Sequence, residues 1–263
     1  EFIPYTGHLL PVEPGRVSVV IASHERFDML METIESVKAQ TYEDWEIIVV
    51  NDASNDVRYY QLLEDVMLIH LPYNVGRPGL VRNIGISAAT GEYIAFLDDD
   101  DVWLPHKLET QIAAMQESGT SMSCTEAFAG NGSYVNGREY QRWLRDAHGP
   151  YAVRGAMESY HAFSGVPDVA KAMELGHCVD VRFCLPDVWD WTVLVRANFV
   201  ITTSALVRRE TLHATGPFNN FTLGEDHHLW KRILRHEKCV FVREPLVYWR
   251  IDSPDKLTQS WKQ

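Results

Sequence analysis

A chain of 263 residues, 46% hydrophobic and 23% charged, is long enough to bury a sizeable core in one domain and too apolar to be disordered. Its formal charge of −12 argues against broad binding to nucleic acid or anionic lipid, because a polyanion is repelled over most of such a surface. Apolar runs such as Val17–Ala22 and Ile47–Val50 are far too short to cross a bilayer, and no signal segment opens the chain. The expectation is a cytoplasmic protein with no integral membrane segment in this sequence, peripheral at a membrane only through partners or segments outside it.

Taken in order, Val17–Ile21 is β-branched and bounded by Pro14-Gly15, which predicts a buried strand, and Phe27–Gln40 carries apolar residues at helical spacing. Strands are predicted at Trp45–Val50, Val66–Leu71 and Tyr93–Leu97. Helices are predicted over Pro78–Ala89, stopped by Thr90-Gly91, and over Pro105–Ser118 with Pro in an opening position. From about Met122 to Arg196 the alternation is lost apart from a predicted helix near Asp168–Leu175. It returns with a strand at Val200–Val207, a short helix at Arg209–Ala214 and a helix at Glu225–His236.

Such alternation implies an α/β fold with a mostly parallel central sheet flanked by helices, whose inner strands are covered on both faces and read as continuous apolar runs. Ligands of such sheets sit beyond the carboxyl ends of the strands. Here those ends carry Ser23-His24-Glu25, Asn51-Asp52 and the run Asp98-Asp99-Asp100-Asp101. Four adjacent carboxylates repel one another, and a divalent cation, Mn2+ or Mg2+, relieves the conflict while also joining a phosphate to an acidic pocket. The competing reading is an acidic loop that only starts the next helix. The cysteines Cys124, Cys178, Cys184 and Cys239 lack CxxC spacing and read as ordinary buried thiols.

Four segments in order, VSVVIASHER, WEIIVVNDASND, NVGRPGLVRNIGISAATGEYIAFLDDDDVWLPHKLE and TTSALVRRETLHATGPFNNFTLGEDHHLWKRIL, resemble those of family 2 glycosyltransferases of the GT-A fold, over roughly residues 16–118 and 198–252. The resemblance implies a single glycosyltransferase domain over residues 1–263. Residues 16–118 would form its nucleotide-sugar-binding half and 119–263 its acceptor-binding half, with an inserted region shaping the acceptor side. It implies a metal-dependent, inverting transfer from a nucleotide-diphosphate sugar to a hydroxyl of a glycan or other acceptor. By resemblance Asp100 is the leading metal ligand, and Asp98 and Asp99 face ribose, diphosphate or metal-bound water. Asp101 is expected to cap the following helix. Asp52 matches the carboxylate that reads the imide edge of uracil or thymine, which favours a UDP- or dTDP-sugar. Ala22, Ser23, His24 and Glu25 would cradle base and ribose, and Arg77 and Arg82 match cationic positions near the nucleotide.

In Gly224-Glu225-Asp226 the resemblance makes Asp226 the base that takes the acceptor proton, with Glu225 orienting or contacting the acceptor. Adjacent His227 and His228 point about 100° apart on a helix, which argues against a zinc pair. Asp252 stands where relatives carry a histidine, so either it is a metal ligand or water takes that place. Trp143, Trp189 and Trp191 are offered either as sugar platforms or as core. A sugar-phosphate nucleotidyltransferase lacks support because SHERFD carries no glycine-rich phosphate loop, and a non-catalytic carbohydrate-binding domain is disfavoured by the two intact carboxylate motifs.

Overall fold

The computed structural model describes residues 10–253 apart from residue 65, residues 145–185 and residues 196–197. The strands are β1 (Glu13–Ser23), β2 (Trp45–Asn51), β3 (Met67–His70), β4 (Gly91–Asp98), β5 (Val102–Trp103), β6 (Met122–Gly130), β7 (Gln141–Arg142), β8 (Val188–Trp189), β9 (Leu206–Arg208) and β10 (Cys239–Arg250). The helices are α1 (Phe27–Lys38), α2 (Pro78–Ala88), α3 (Lys107–Ser118), α4 (Trp191–Leu194), α5 (Arg209–Thr215) and α6 (Glu225–Ile233).

The sheet runs β3-β2-β1-β4-β9-β6-β10-β5, with β7 beside β6 and β8 beside β10. The first four strands are mutually parallel, and β9 is antiparallel to both β4 and β6. Since β10 is parallel to β6, the carboxyl ends of β1, β2, β4, β6 and β10 all lie on one edge.

Alternation along the strands divides the core. Val20, Ile48, Val50, Ile94 and Phe96 face Val81 and Ile86 of α2 and Leu229, Trp230 and Ile233 of α6. Val19, Ile21, Val49, Ala95 and Leu97 face Leu30, Ile34 and Val37 of α1 and Leu108, Ile112 and Met115 of α3. Strands covered on both faces have no polar side, which is why they read as unbroken apolar runs.

Several expectations change. The strand expected over Val200–Val207 is only Leu206–Arg208, because Thr202–Ser204 coils into a 3₁₀ turn. The irregular stretch expected from Met122 opens instead on β6, an inner strand whose Ser123, Thr125 and Glu126 are buried. Strand β10 was not anticipated, and its register shifts around Pro245. Asp101 does not cap α3: that helix starts at Lys107 after His106, and Asp101 Oδ1 accepts the Arg250 N–H at 3.0 Å, joining the ends of β4 and β10. The helix expected near Asp168–Leu175 lies outside the described residues. Cys124 and Cys239 are buried free thiols. Trp189 is core, stacked on Phe241, and Trp143 packs edge-on against Trp249, while Trp191 is 41% exposed.

Candidate active site

Residues 22–26 leave β1 on the edge where the other carboxyl ends meet. Ala22 pairs in register with Asp98, and Ser23 with Asn51. The Ser23 hydroxyl shares a hydrogen bond of 2.7 Å with Tyr59, and its carbonyl accepts the Asp52 N–H. His24 N–H donates to Asp99 Oδ2 at 3.3 Å. Its Nδ1 lies 2.7 Å from the Asp52 carbonyl, which can only accept, so Nδ1 carries the proton and Nε2 accepts from the Asn74 amide at 2.9 Å. Glu25, with φ +54°, accepts the Asn55 N–H on its carboxylate at 2.7 Å and donates its own N–H to the Ser54 hydroxyl oxygen. The loop is therefore held by hydrogen bonds to neighbouring segments, with Glu25 in a left-handed conformation that a non-glycine residue rarely adopts.

Asp52 holds the neighbouring loop. Its two carboxylate oxygens accept the N–H groups of Val75 and Gly76 at 2.7 and 2.9 Å, while the Asx-type turn onto Ser54 is made by Asn51. Arg77 sits at the start of α2 with its guanidinium on the Gly76 carbonyl, on the partly exposed rim.

At the end of β4, Arg82 donates to Asp98 Oδ1 at 2.6 Å and to Glu225 Oε1 at 3.1 Å, and is itself buried. The helix carrying it approaches α6 closely because residue 79 is glycine: a Cβ there would meet Glu225 Cγ at 2.8 Å and Phe218 Cβ at 3.0 Å. One position along, Asn83 pairs both its amide groups with the backbone of Phe218, fixing the loop that leads into α6. Burial pushes the Glu225 carboxyl above its ordinary range, against the opposing pull of Arg82.

Asp226 lies in the first turn of α6. Its Oδ2 accepts from the Asn198 amide at 3.1 Å and from the Thr202 hydroxyl at 3.0 Å. His227 binds the Leu194 carbonyl through Nε2, so its ring is committed to packing rather than to a metal.

Arg26, which sequence reading passed over, ion-pairs with Asp99 Oδ1 at 2.9 Å and Asp100 Oδ2 at 3.0 Å. Burial pushes the Asp99 carboxyl up to about 7, opposed by Arg26. The one clue in the sequence was a cation directly after a strand end, in a chain with four carboxylates to neutralise at the adjacent strand end.

Among the described residues no three His, Cys, Asp or Glu side chains are gathered into a ready metal site. The donor set nevertheless suits a hard divalent cation: carboxylate oxygens only, on one strand end, with the buried Asp99 Oδ1 taking no hydrogen bond beyond its ion pair. Asp252 follows β10 on the same edge, with its two oxygens on the Gly132 N–H at 2.9 and 3.1 Å.

A glucosyltransferase of Escherichia coli, WfgD, named as acting from UDP-Glc on α-D-GlcNAc-diphosphoundecaprenol, is 37% identical over 109 residues, 40% of this chain and 43% of its own. The teichuronic acid biosynthesis protein TuaG of Bacillus subtilis, named a putative glycosyltransferase, is 36% identical over 115 residues, 41% of this chain and 45% of its own. The matched stretches thus span less than half the length of these relatives. Among solved structures, Staphylococcus aureus TarS 1–349 in complex with UDP-GlcNAc superposes with a TM-score of 0.65 at 16% identity, over 92% of this chain and 60% of that one. The mannosyltransferase PcManGT of Pyrobaculum calidifontis, in complex with GDP-Man and Mn2+, gives 0.60 at 15% identity over 97% and 62%. These two establish the shared GT-A-type α/β fold. The model of glycosyl transferase family 2 matches residues 18–170, more than half of the sequence, and the chain belongs to that family.

Proposed function

We propose that this protein transfers a sugar, with inversion, from a nucleotide-diphosphate donor to a hydroxyl of a glycan or other acceptor, in a metal-dependent reaction. The observation that carries this reading is the Arg82 bridge, which brings the acidic end of β4 and the Glu225-Asp226 turn to the same edge of the sheet.

In this reading Asp52 and the 22–25 loop receive base and ribose. Asp100 and Asp98 hold the cation, with Asp252 as the further ligand on the same edge. A bound Mn2+ or Mg2+ supplies charge for the departing diphosphate. Asp226, kept in one orientation by Asn198 and Thr202, takes the proton of the acceptor hydroxyl, and Glu225 orients that acceptor. Holding the reactants in line and pre-setting the charges account for most of the acceleration. A relative named for UDP-Glc and a fold neighbour in complex with UDP-GlcNAc support a uridine donor, dTDP-sugars sharing the same imide edge. The neighbour in complex with GDP-Man and Mn2+ supports the metal.

The test is a screen of UDP-, dTDP- and GDP-sugars for manganese-dependent donor hydrolysis and transfer, run beside Asp100→Ala and Asp226→Asn. A UDP- or dTDP-sugar is expected to be consumed only with metal, and both variants to be impaired. The absence of any metal-dependent nucleotide-sugar binding sinks the reading. Normal transfer by Asp226→Asn removes the base assignment alone.

A further inference from the structure

Arg26 forms the N-cap of α1 without making a side-chain capping bond. Its backbone is fixed, the N–H donating to the Tyr59 hydroxyl at 3.3 Å and the carbonyl accepting the Leu30 N–H at 2.9 Å. Only its side chain can change partners, and that side chain is 25% exposed, so it borders both the buried carboxylates and solvent. Its two terminal nitrogens lie on Asp99 and Asp100, where a divalent cation would also bind.

A guanidinium fork fits a carboxylate pair and a phosphate by the same geometry. A bare cation entering at Asp100 must compete with a guanidinium already in place, and must leave that guanidinium beside a new positive charge with no partner. A cation arriving with a diphosphate brings the partner along. The second guanidinium of the cluster, Arg82, is held between Asp98 and Glu225 and is only 7% exposed, so it lacks that freedom.

We propose that Arg26 is a tethered counter-cation, which holds Asp99 and Asp100 while no divalent cation is bound and turns to the donor's diphosphate when one is, so that metal and nucleotide load together. The inference rests on the nucleotide-sugar reading of the site and deepens it by naming the residue that couples its two ligands. Coupling of this kind is reciprocal: whatever UDP adds to metal affinity, the metal adds to UDP affinity.

The experiment titrates Mn2+, followed by the electron paramagnetic resonance of the free ion, into wild type, Arg26→Gln and Arg26→Lys, each with and without UDP. Wild type is expected to bind Mn2+ about tenfold or more tighter when UDP is present, and Arg26→Gln to bind Mn2+ alone about fivefold tighter than wild type while losing most of the UDP enhancement. Arg26→Lys, with the charge but not the fork, is expected to fall between them. The proposal is overturned if a folded Arg26→Gln, checked by circular dichroism, binds Mn2+ alone no better than wild type, or keeps the full enhancement. Should the Gln variant fail to fold, the Lys variant decides: unchanged Mn2+ affinity with full enhancement overturns the proposal, and an intermediate response upholds it. If wild type takes up no Mn2+ with either UDP or GDP, the nucleotide-sugar reading itself falls, and this proposal with it. Wild-type coupling that Arg26→Gln leaves intact removes only the role of Arg26.

Discussion

Arg82 and Glu225, 143 positions apart in sequence, meet at 3.1 Å, and the same guanidinium reaches Asp98 at 2.6 Å, so one buried cation fastens the end of β4 to the first turn of α6. Removing it leaves the largely buried Glu225 carboxylate and the half-buried Asp98 carboxylate without their shared partner. Arg82→Met is expected to lower the unfolding free energy by about 3 kcal/mol, as measured by urea denaturation, and to abolish sugar transfer. Arg82→Lys keeps the charge but cannot reach both partners as a fork, so it should regain part of the stability and little of the activity. An Arg82→Met protein with the parental urea midpoint would show that the bridge adds nothing.

Gly79 sets the distance between α2 and α6. Gly79→Ala forces a methyl group against Glu225 Cγ and Phe218 Cβ, and overpacking of this kind costs about 1–3 kcal/mol. Displacement of the Glu225 turn should reduce turnover further than the stability loss alone predicts. The check is to compare activity at a temperature where both proteins remain fully folded; equal turnover there would mean that the turn tolerates the push.

The Thr202 hydroxyl and the Asn198 amide both donate to Asp226 Oδ2, while Oδ1 accepts the His227 N–H at 2.6 Å, so the carboxylate is held in one orientation. Thr202→Val is expected to lower kcat by about tenfold with the donor KM nearly unchanged, and Thr202→Ser to restore it, since an interaction felt only during proton transfer appears in kcat. A matching rise in the donor KM would assign Thr202 to binding instead.

Lys107 is buried, hydrogen-bonded to Gln111 Oε1 at 2.7 Å and set 3.9 Å from the centre of the Trp103 ring. Burial holds its ammonium well below the usual lysine range. The unfolded chain therefore binds this proton more tightly, and stability rises with pH from the folded pKa up to the unfolded one, near 10.5. Inside that window the slope approaches about 1.4 kcal/mol per pH unit. Lys107→Met should flatten the slope, as read from urea midpoints across the alkaline range. Parallel curves for the two proteins would mean that the buried lysine does not titrate there.

The parallel half of the molecule is legible in the sequence because Val17–Ile21, Ile47–Val50 and Tyr93–Leu97 are covered on both faces and have no polar side to confuse the pattern. β6 escapes because its buried Ser123, Thr125 and Glu126 resemble a surface segment; Glu126 is accommodated by accepting the N–H groups of Ala127 and Leu144. β10 escapes because Arg243-Glu244-Pro245 interrupts it at the shift in register. In the candidate site, the strand-end positions of Asp52 and the four aspartates follow from local pattern. The partners of Arg26, Arg82 and Asp101 do not, since they lie 73, 74, 143 and 149 positions away, Asp98 alone being nearer to Arg82 at 16.

The sheet is two parallel blocks, β3-β2-β1-β4 and β6-β10, joined in order by the short antiparallel strand β9. Just upstream of β9, Thr202 and Asn198 hold Asp226. Mechanically, β9 is a seam, and the proposed base is fastened to it through Asn198 and Thr202 and to the first block through the Arg82 bridge. The spacing between the acidic strand end and the proposed base is thereby set twice, once along the seam and once through a single guanidinium.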